Sequence, residues 1–67
     1  MKSRTARQVF EDSKLRVVEI AAKLGLSRDA VYKYKAGFGV SDEAAKRIAR
    51  EFRVTPVYVM GKGWRFE

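Results

Sequence analysis

Residues 20–37, IAAKLGLSRDAVYKYKAG, break a helical pattern and restart it within a few residues. Small and apolar residues recur at helical spacing as far as Leu24. Gly25 follows, and glycine ends helices because it enters the left-handed conformation at low energetic cost. Ser27 can then cap the next helix through its hydroxyl, with Asp29 near the positive end of the helix dipole. The stretch therefore predicts two helices joined by a tight turn.

The rest of the chain has further helix signals. Thr5 followed by Gln8 resembles a capping box. Ser41 stands where an N-cap is expected, and an apolar stripe at helical spacing follows it to Phe52. The predicted helices span about residues 3–13, 17–24, 27–36 and 41–52. On the outer face of the last helix, the i,i+4 pairs are expected to be solvated rather than functional; they are Asp42 with Lys46, Glu43 with Arg47, and Arg47 with Glu51.

The last segment, VTPVYVMGKGWRFE, fits two different structures. Thr55 as cap, Pro56 at the first helical position and Gly61 as stop outline a short fifth helix. The valine and tyrosine content favours strands instead, and VYVM can pair with WRF around the glycines as a β-hairpin. The fold class is therefore all-α, a compact bundle of four to five helices, with a tail that is either helical or β.

Composition limits the chemistry of the chain. Its 67 residues are expected to form one domain, since a core of this size buries only roughly 60% of the unfolded surface. With no cysteine and no histidine, thiolate and imidazole mechanisms are absent, and no motif pairs the carboxylates. Neither an enzyme activity nor a cofactor or metal site is expected. No apolar run is long enough to span a membrane, so we expect a cytoplasmic protein.

The chain carries a strong positive charge. Its 15 Lys and Arg against 8 Asp and Glu give a formal net charge of +7. A polyanion is the natural partner of such a surface. An α-helix fits the major groove of duplex DNA when a second helix holds it there, so the helix at 27–36 is the candidate for insertion.

Two sets of side chains are expected at the DNA. The free face of the third helix would contact bases; its members are Arg28, Asp29, Tyr32 and Lys33. For Asp29 a structural role at the helix start, or a pair with Lys33, is an equal alternative. The flanking set would contact phosphates, or simply be solvated; its members are Lys14, Arg16, Ser27 and Lys35. Lys2 and Arg4 are candidates for a basic arm, and Tyr34 is assigned to the core.

The residues quoted above resemble the helix-turn-helix transcriptional regulators of the phage Cro and repressor type, the lambda-repressor-like fold. The frame of alanine, glycine, a hydrophobic residue and a capping residue is met by Ala21, Gly25, Leu26 and Ser27. VYKYKAG and SDEAAKRIAREFRVTPVYVMGKG are similar to the end of the family's third helix and to its fourth and fifth helices. The resemblance favours the helical tail. Val17 stands where the family often has a phosphate-binding glutamine, and Lys35 replaces an acidic residue.

The resemblance implies a sequence-specific, double-stranded DNA-binding regulator that represses by occupying an operator. Trp64 and Phe66 lie beyond the last glycine, where they either fold back on the core or form the interface of a homodimer on a palindromic operator. No small-molecule ligand is expected. Two alternatives remain: a protein-interaction module of the antitoxin or adaptor type, and non-specific binding of nucleic acid or RNA.

Overall fold

A computed structural model describes residues 3–67, so the predicted contribution of Lys2 to a basic arm lies outside the described residues. Within this range helices α1 to α4 are followed by an antiparallel hairpin of strands β1 and β2. In chain order the elements are α1 (Ala6–Ser13), α2 (Val17–Leu24), α3 (Arg28–Lys35), α4 (Asp42–Phe52), β1 (Pro56–Val59) and β2 (Gly63–Phe66). The helical fold class with a β tail is confirmed.

Helix α1 begins later than predicted. The capping box is present, because the Thr5 hydroxyl accepts the Gln8 N–H at 3.2 Å and the Gln8 side chain accepts the Thr5 N–H at 3.0 Å. The predicted start at Ser3 is wrong because the chain before Thr5 pairs with the hairpin. The Arg4 N–H donates to the Phe66 carbonyl at 2.7 Å, and the Phe66 N–H donates back at 2.8 Å.

Arg4 is also not a free basic arm. Besides its backbone pairing with Phe66, its guanidinium donates to the Asp12 carboxylate at 2.7 Å. The backbone and the guanidinium of Arg4 are therefore both bonded within the protein. The prediction that Arg4 reaches out to a polyanion is corrected on this evidence.

The C-terminal tail is a β-hairpin, so the favoured fifth helix is wrong and the alternative is correct. Pro56 pairs with Phe66 and Val59 with Gly63 at the two ends of the ladder. Gly61 and Gly63 have φ of 82° and 84°, values that suit glycine and allow the chain to reverse. The β-branched and aromatic residues of both strands fit a pleated surface better than a helix.

The core is formed where the helices meet the hairpin. Its buried apolar members are Ala6, Val9, Phe10, Ile20, Ala21, Leu24, Val31, Ala44, Ala45, Ile48 and Phe66. Tyr34 packs against this cluster, as predicted from its spacing. Phe66 is 0% exposed, so the structure corrects its predicted place in a dimer interface: a side chain with no accessible surface has none to offer a second copy.

Candidate nucleic-acid interface

The turn between α2 and α3 has the geometry that the sequence predicts. Gly25 adopts the left-handed conformation at φ 67° and ψ 32°. The next N–H, that of Leu26, donates to the Ala21 carbonyl at 3.0 Å, which closes the end of α2. Ala21 is only 6% exposed, since it lies in the core beneath this turn. The chain therefore reverses without exposing the packed side of either helix.

Helix α3 has one packed face and one free face. Its N-cap is Ser27, whose hydroxyl accepts the Ala30 N–H at 3.2 Å. Val31 is 0% exposed and Tyr34 is half-buried against the core, which fixes the rotation of the helix about its axis. The opposite face, called here the α3 outer face, is exposed throughout and consists of Arg28, Asp29, Tyr32 and Lys33.

The α3 outer face is not engaged in ion pairs in the described part of the chain. The alternative pair between Asp29 and Lys33 is not formed among these residues. Tyr32 is 59% exposed, an unusually open position for so large a side chain. The face thus presents two cations, one carboxylate and one phenol to whatever approaches it.

The four residues predicted to contact phosphates occupy different environments. Lys14 is exposed at the end of α1 with φ 61°, and Arg16 is exposed at the start of α2. Ser27 is exposed, but its hydroxyl already caps α3. Lys35 is half-buried in the last turn of α3. Their contact with phosphate stays a prediction.

The start of α2 carries the clearest electrostatic perturbation. The Arg16 N–H donates to the Glu19 carboxylate at 2.9 Å, and the Arg16 guanidinium lies 3.5 Å from the same oxygen. The backbone hydrogen bond is the main cause that lowers the pKa of Glu19 below its ordinary value of 4.5. Glu19 thereby orders the N-terminus of α2.

Arg47 is the residue whose role the sequence pattern missed. It forms the predicted pair with Glu43, at 2.8 Å, but its other nitrogen, Nη1, donates to the carbonyls of Leu24 and Gly25, each at 3.1 Å. Its side chain is only 34% exposed. No local signal relates Arg47 to a turn more than twenty residues away, so only tertiary packing could show this contact.

The other predicted pairs on α4 are replaced by different partners. Glu51 pairs with its neighbour Arg50 at 3.3 Å instead of with Arg47. Asp42 accepts the Trp64 indole N–H at 2.9 Å. Trp64 also packs edge-on against Tyr58, with ring centroids 5.3 Å apart. Trp64 is therefore half-buried against the domain, and its place in a dimer interface stays a prediction.

The hairpin leaves apolar surface exposed. Tyr58 is 61% and Met60 is 90% exposed on or next to β1, and Phe38, in the loop after α3, is 65% exposed.

Within residues 3–67, no group of three or more His, Cys, Asp and Glu side chains is placed to hold a metal ion. In the same range, each helix is too short or too polar to cross a membrane.

Comparison with known proteins gives one positive result. A family model described as helix-turn-helix matches residues 7–59, which include α1 except its first residue, Ala6, together with α2, α3, α4 and β1. Neither the curated proteins nor the solved structures gave a significant match.

Proposed function

Because the chain belongs to the helix-turn-helix family of the Cro and repressor type, a family of DNA-binding regulators, we propose that it represses transcription by sequence-specific binding to an operator. Helix α3 enters the major groove, and the α3 outer face contacts base edges. The protein acts on duplex DNA of the nucleoid, in the cytoplasm. Occupation of the operator excludes the polymerase, so no ligand or enzymatic step is required.

The observation that carries this proposal is the exposure of the α3 outer face on a helix whose other side packs on the core through Val31 and Tyr34. Arg28 can bind guanine through its two parallel donors, and Lys33 can bind guanine or a phosphate. Asp29 can accept from cytosine N4, and Tyr32 can contact a thymine methyl group. Because Val31 is buried, these side chains are presented at fixed angles about the helix axis.

The phosphate contacts come from basic residues outside the α3 outer face. Lys14 and Arg16 lie at the α1–α2 junction, and Lys35 lies at the end of α3. Lysine and arginine bound to phosphates release counterions from the duplex, so affinity falls steeply as the salt concentration rises. The net charge of +7 supports this sequence-independent part of the binding energy.

Pairing of two copies is the second part of the proposal. Thr55 and Glu67 exchange backbone hydrogen bonds of 2.8 and 2.9 Å. Because hydrogen-bonded and non-hydrogen-bonded pairs alternate along an antiparallel ladder, the backbone N–H and C=O of Tyr58 point away from β2. The other edge of β2 is already used by Arg4. The outer edge of β1, next to the exposed Tyr58 and Met60, is therefore the surface proposed for a homodimer, with Trp64 at its margin.

The test is selection of bound sequences from a random duplex pool, followed by sequencing. A consensus with two inverted half-sites, whose centres are about one helical turn of roughly 34 Å apart, is expected. The double variant Arg28→Ala/Lys33→Ala should lose the enriched duplex. Arg50→Ala, which removes an exposed arginine of α4, is the matched control and should retain it.

The other outcomes separate the alternatives. Binding without any consensus would support a non-specific nucleic-acid protein, and enrichment from an RNA pool instead of a duplex pool would support RNA binding. A protein that binds neither would support an interaction module of the antitoxin or adaptor type. A consensus with a single half-site would retain the sequence-specific regulator and reject the two-fold pairing.

A further inference from the structure

We propose that Arg47 is a positioning residue that locks the turn between α2 and α3 and so sets the angle at which α3 is presented. This inference rests on the proposed function for its consequence in DNA binding. Its structural part stands on contacts within the protein alone.

The contact joins two parts of the chain that are distant in sequence. Nη1 of Arg47 donates to the Leu24 and Gly25 carbonyls, the last residue of α2 and the residue of the bend, at 3.1 Å each. Nη2 donates to the Glu43 carboxylate at 2.8 Å, one turn earlier on α4. The guanidinium is thereby fixed on one side by α4 and holds the bend with the other.

The end of α2 is a favourable place for this cation. The last carbonyls of a helix have no partner inside the helix, and the dipole makes that end negative. Arg47 supplies charged donors to two such carbonyls while its side chain is 34% exposed, so water competes less than at an open surface. The planar fork places Nη1 on these carbonyls and Nη2 on the Glu43 carboxylate at the same time, a geometry that the single point charge of lysine does not reproduce.

Gly25 is shaped for the same contact. A Cβ atom built at Gly25 would lie 3.1 Å from Nη1 of Arg47, closer than ordinary contact, and φ of 67° disfavours any other side chain. The glycine therefore serves the reversal of the chain and also leaves space for the guanidinium. This second role of Gly25 depends on the packing of α4 against the turn, because Arg47 belongs to α4.

The consequence for DNA is selective. Base contacts require side chains held to within a fraction of an ångström, whereas contacts between lysine or arginine and phosphates tolerate small shifts because they depend mainly on charge. A loosened bend would let α3 tilt relative to α2 without unfolding either helix. We expect loss of Arg47 to reduce discrimination between sequences more than it reduces binding to random DNA.

The first test uses the protein without DNA and measures native-state hydrogen exchange by NMR. Arg47→Met keeps much of the apolar stem and removes every donor, Arg47→Lys restores one charged donor, and Arg50→Met on the same helix is the control. Arg47→Met should speed exchange of the Leu26 amide by about ten-fold, with partial rescue in Arg47→Lys. The core amide of Ile48 and both amides in Arg50→Met should keep their wild-type rates.

Two results of that experiment would overturn the proposal. Exchange at Leu26 that stays at the wild-type rate would show that Arg47 does not hold the bend. Equal acceleration at Leu26 and Ile48 would show a general stabilising role with no specific effect on the turn. Both readings are independent of any DNA sequence, so they remain valid if the proposed function fails.

The second test compares affinity for the selected duplex with affinity for random duplex of equal length. In Arg47→Met the dissociation constant for random duplex divided by that for the selected duplex should fall by about ten-fold. The salt dependence of binding to random duplex should stay unchanged. Equal weakening on both duplexes would contradict a role in readout. Failure of the wild-type protein to select any duplex would instead refute the proposed function and leave hydrogen exchange to decide on the turn.

Discussion

At the scale of single residues, Arg28 and Arg16 are the same residue type with different proposed roles, a base contact for Arg28 and a phosphate contact for Arg16. Arg28 opens α3 directly after its cap, on the face opposite the buried Val31. Arg16 precedes α2 and is held loosely by Glu19, at 3.5 Å between guanidinium and carboxylate. Both side chains are exposed, so their removal should leave the fold intact, and Arg16→Ala keeps the backbone N–H that donates to Glu19.

Arg28→Ala should relax the preference at one base pair, with a loss of discrimination of about 1–3 kcal/mol, because a bidentate contact is removed. Arg16→Ala should weaken all duplexes alike and reduce the slope of log affinity against log salt by about one. Gel shifts across a salt series measure both quantities. Identical losses on specific and random duplexes for the two variants would argue against the assignment.

Ala21 and Ala22 offer a matched pair of neighbours on α2, one buried and one exposed. Ala21→Glu should unfold or disorder the helix-turn-helix, because it places an unpaired carboxylate in a site that is 6% exposed. Ala22→Glu should change the free energy of unfolding by no more than about 0.5 kcal/mol. Thermal melting followed by circular dichroism distinguishes them, and similar midpoints for both variants would contradict the packing described for Ala21.

At the scale of elements, each helix starts at a polar residue that caps it, but the caps differ in chemistry. Thr5, Ser27 and Ser41 use side-chain hydroxyls. Helix α2 is different because its N-cap is Arg16, and order there comes from the Glu19 carboxylate, which accepts the Arg16 N–H at 2.9 Å. This hydrogen bond from the Arg16 backbone lowers the pKa of Glu19.

The stability contributed by this cap should depend on pH. The pKa of Glu19 is lower in the folded protein than its ordinary 4.5, so the carboxylate stabilises the fold above pH 4.5 and loses that effect as pH falls through the folded-state pKa. Glu19→Gln removes the titrating group and keeps an acceptor. The difference in melting temperature between wild type and Glu19→Gln should shrink as the solution is acidified. A difference that stays constant between about pH 7 and pH 3 would contradict this.

At the scale of the whole molecule, Phe66 ties together the two ends of the chain and the core. Its backbone pairs with Arg4 at 2.7 and 2.8 Å, its strand pairs with β1, and its ring is 0% exposed. The helices alone leave this part of the core open, so the hairpin completes it. A domain of this size has a small margin of stability, which makes one large buried side chain decisive.

Phe66→Ala should destabilise the whole domain by about 3–5 kcal/mol, because it removes a buried ring and leaves a cavity that the short hairpin cannot fill. Met60→Ala, at the 90% exposed tip of the same hairpin, is the control and should change stability by no more than about 0.5 kcal/mol. Urea denaturation measures both. A small effect of Phe66→Ala, similar to that of Met60→Ala, would show that the hairpin is not part of the cooperative unit.

The local pattern of the chain was sufficient to determine the helices, three of their caps, the bend at Gly25 and the exposed side chains of α3. These features depend on residues within about four positions of one another, and helical spacing and capping act over that distance. The resemblance to Cro and repressor proteins agreed with this pattern. It misled only at the tail, where it favoured a helix over the strand-forming residues.

Tertiary structure decided what depended on contacts between distant residues. It paired Arg4 with Phe66, which shortened α1, and it buried Phe66, which removed that ring from any dimer surface. It also brought Arg47 to the carbonyls of Leu24 and Gly25, a contact across more than twenty residues. Such contacts arise from the packing of whole elements against one another, so a periodicity that records only near neighbours carries no signal for them.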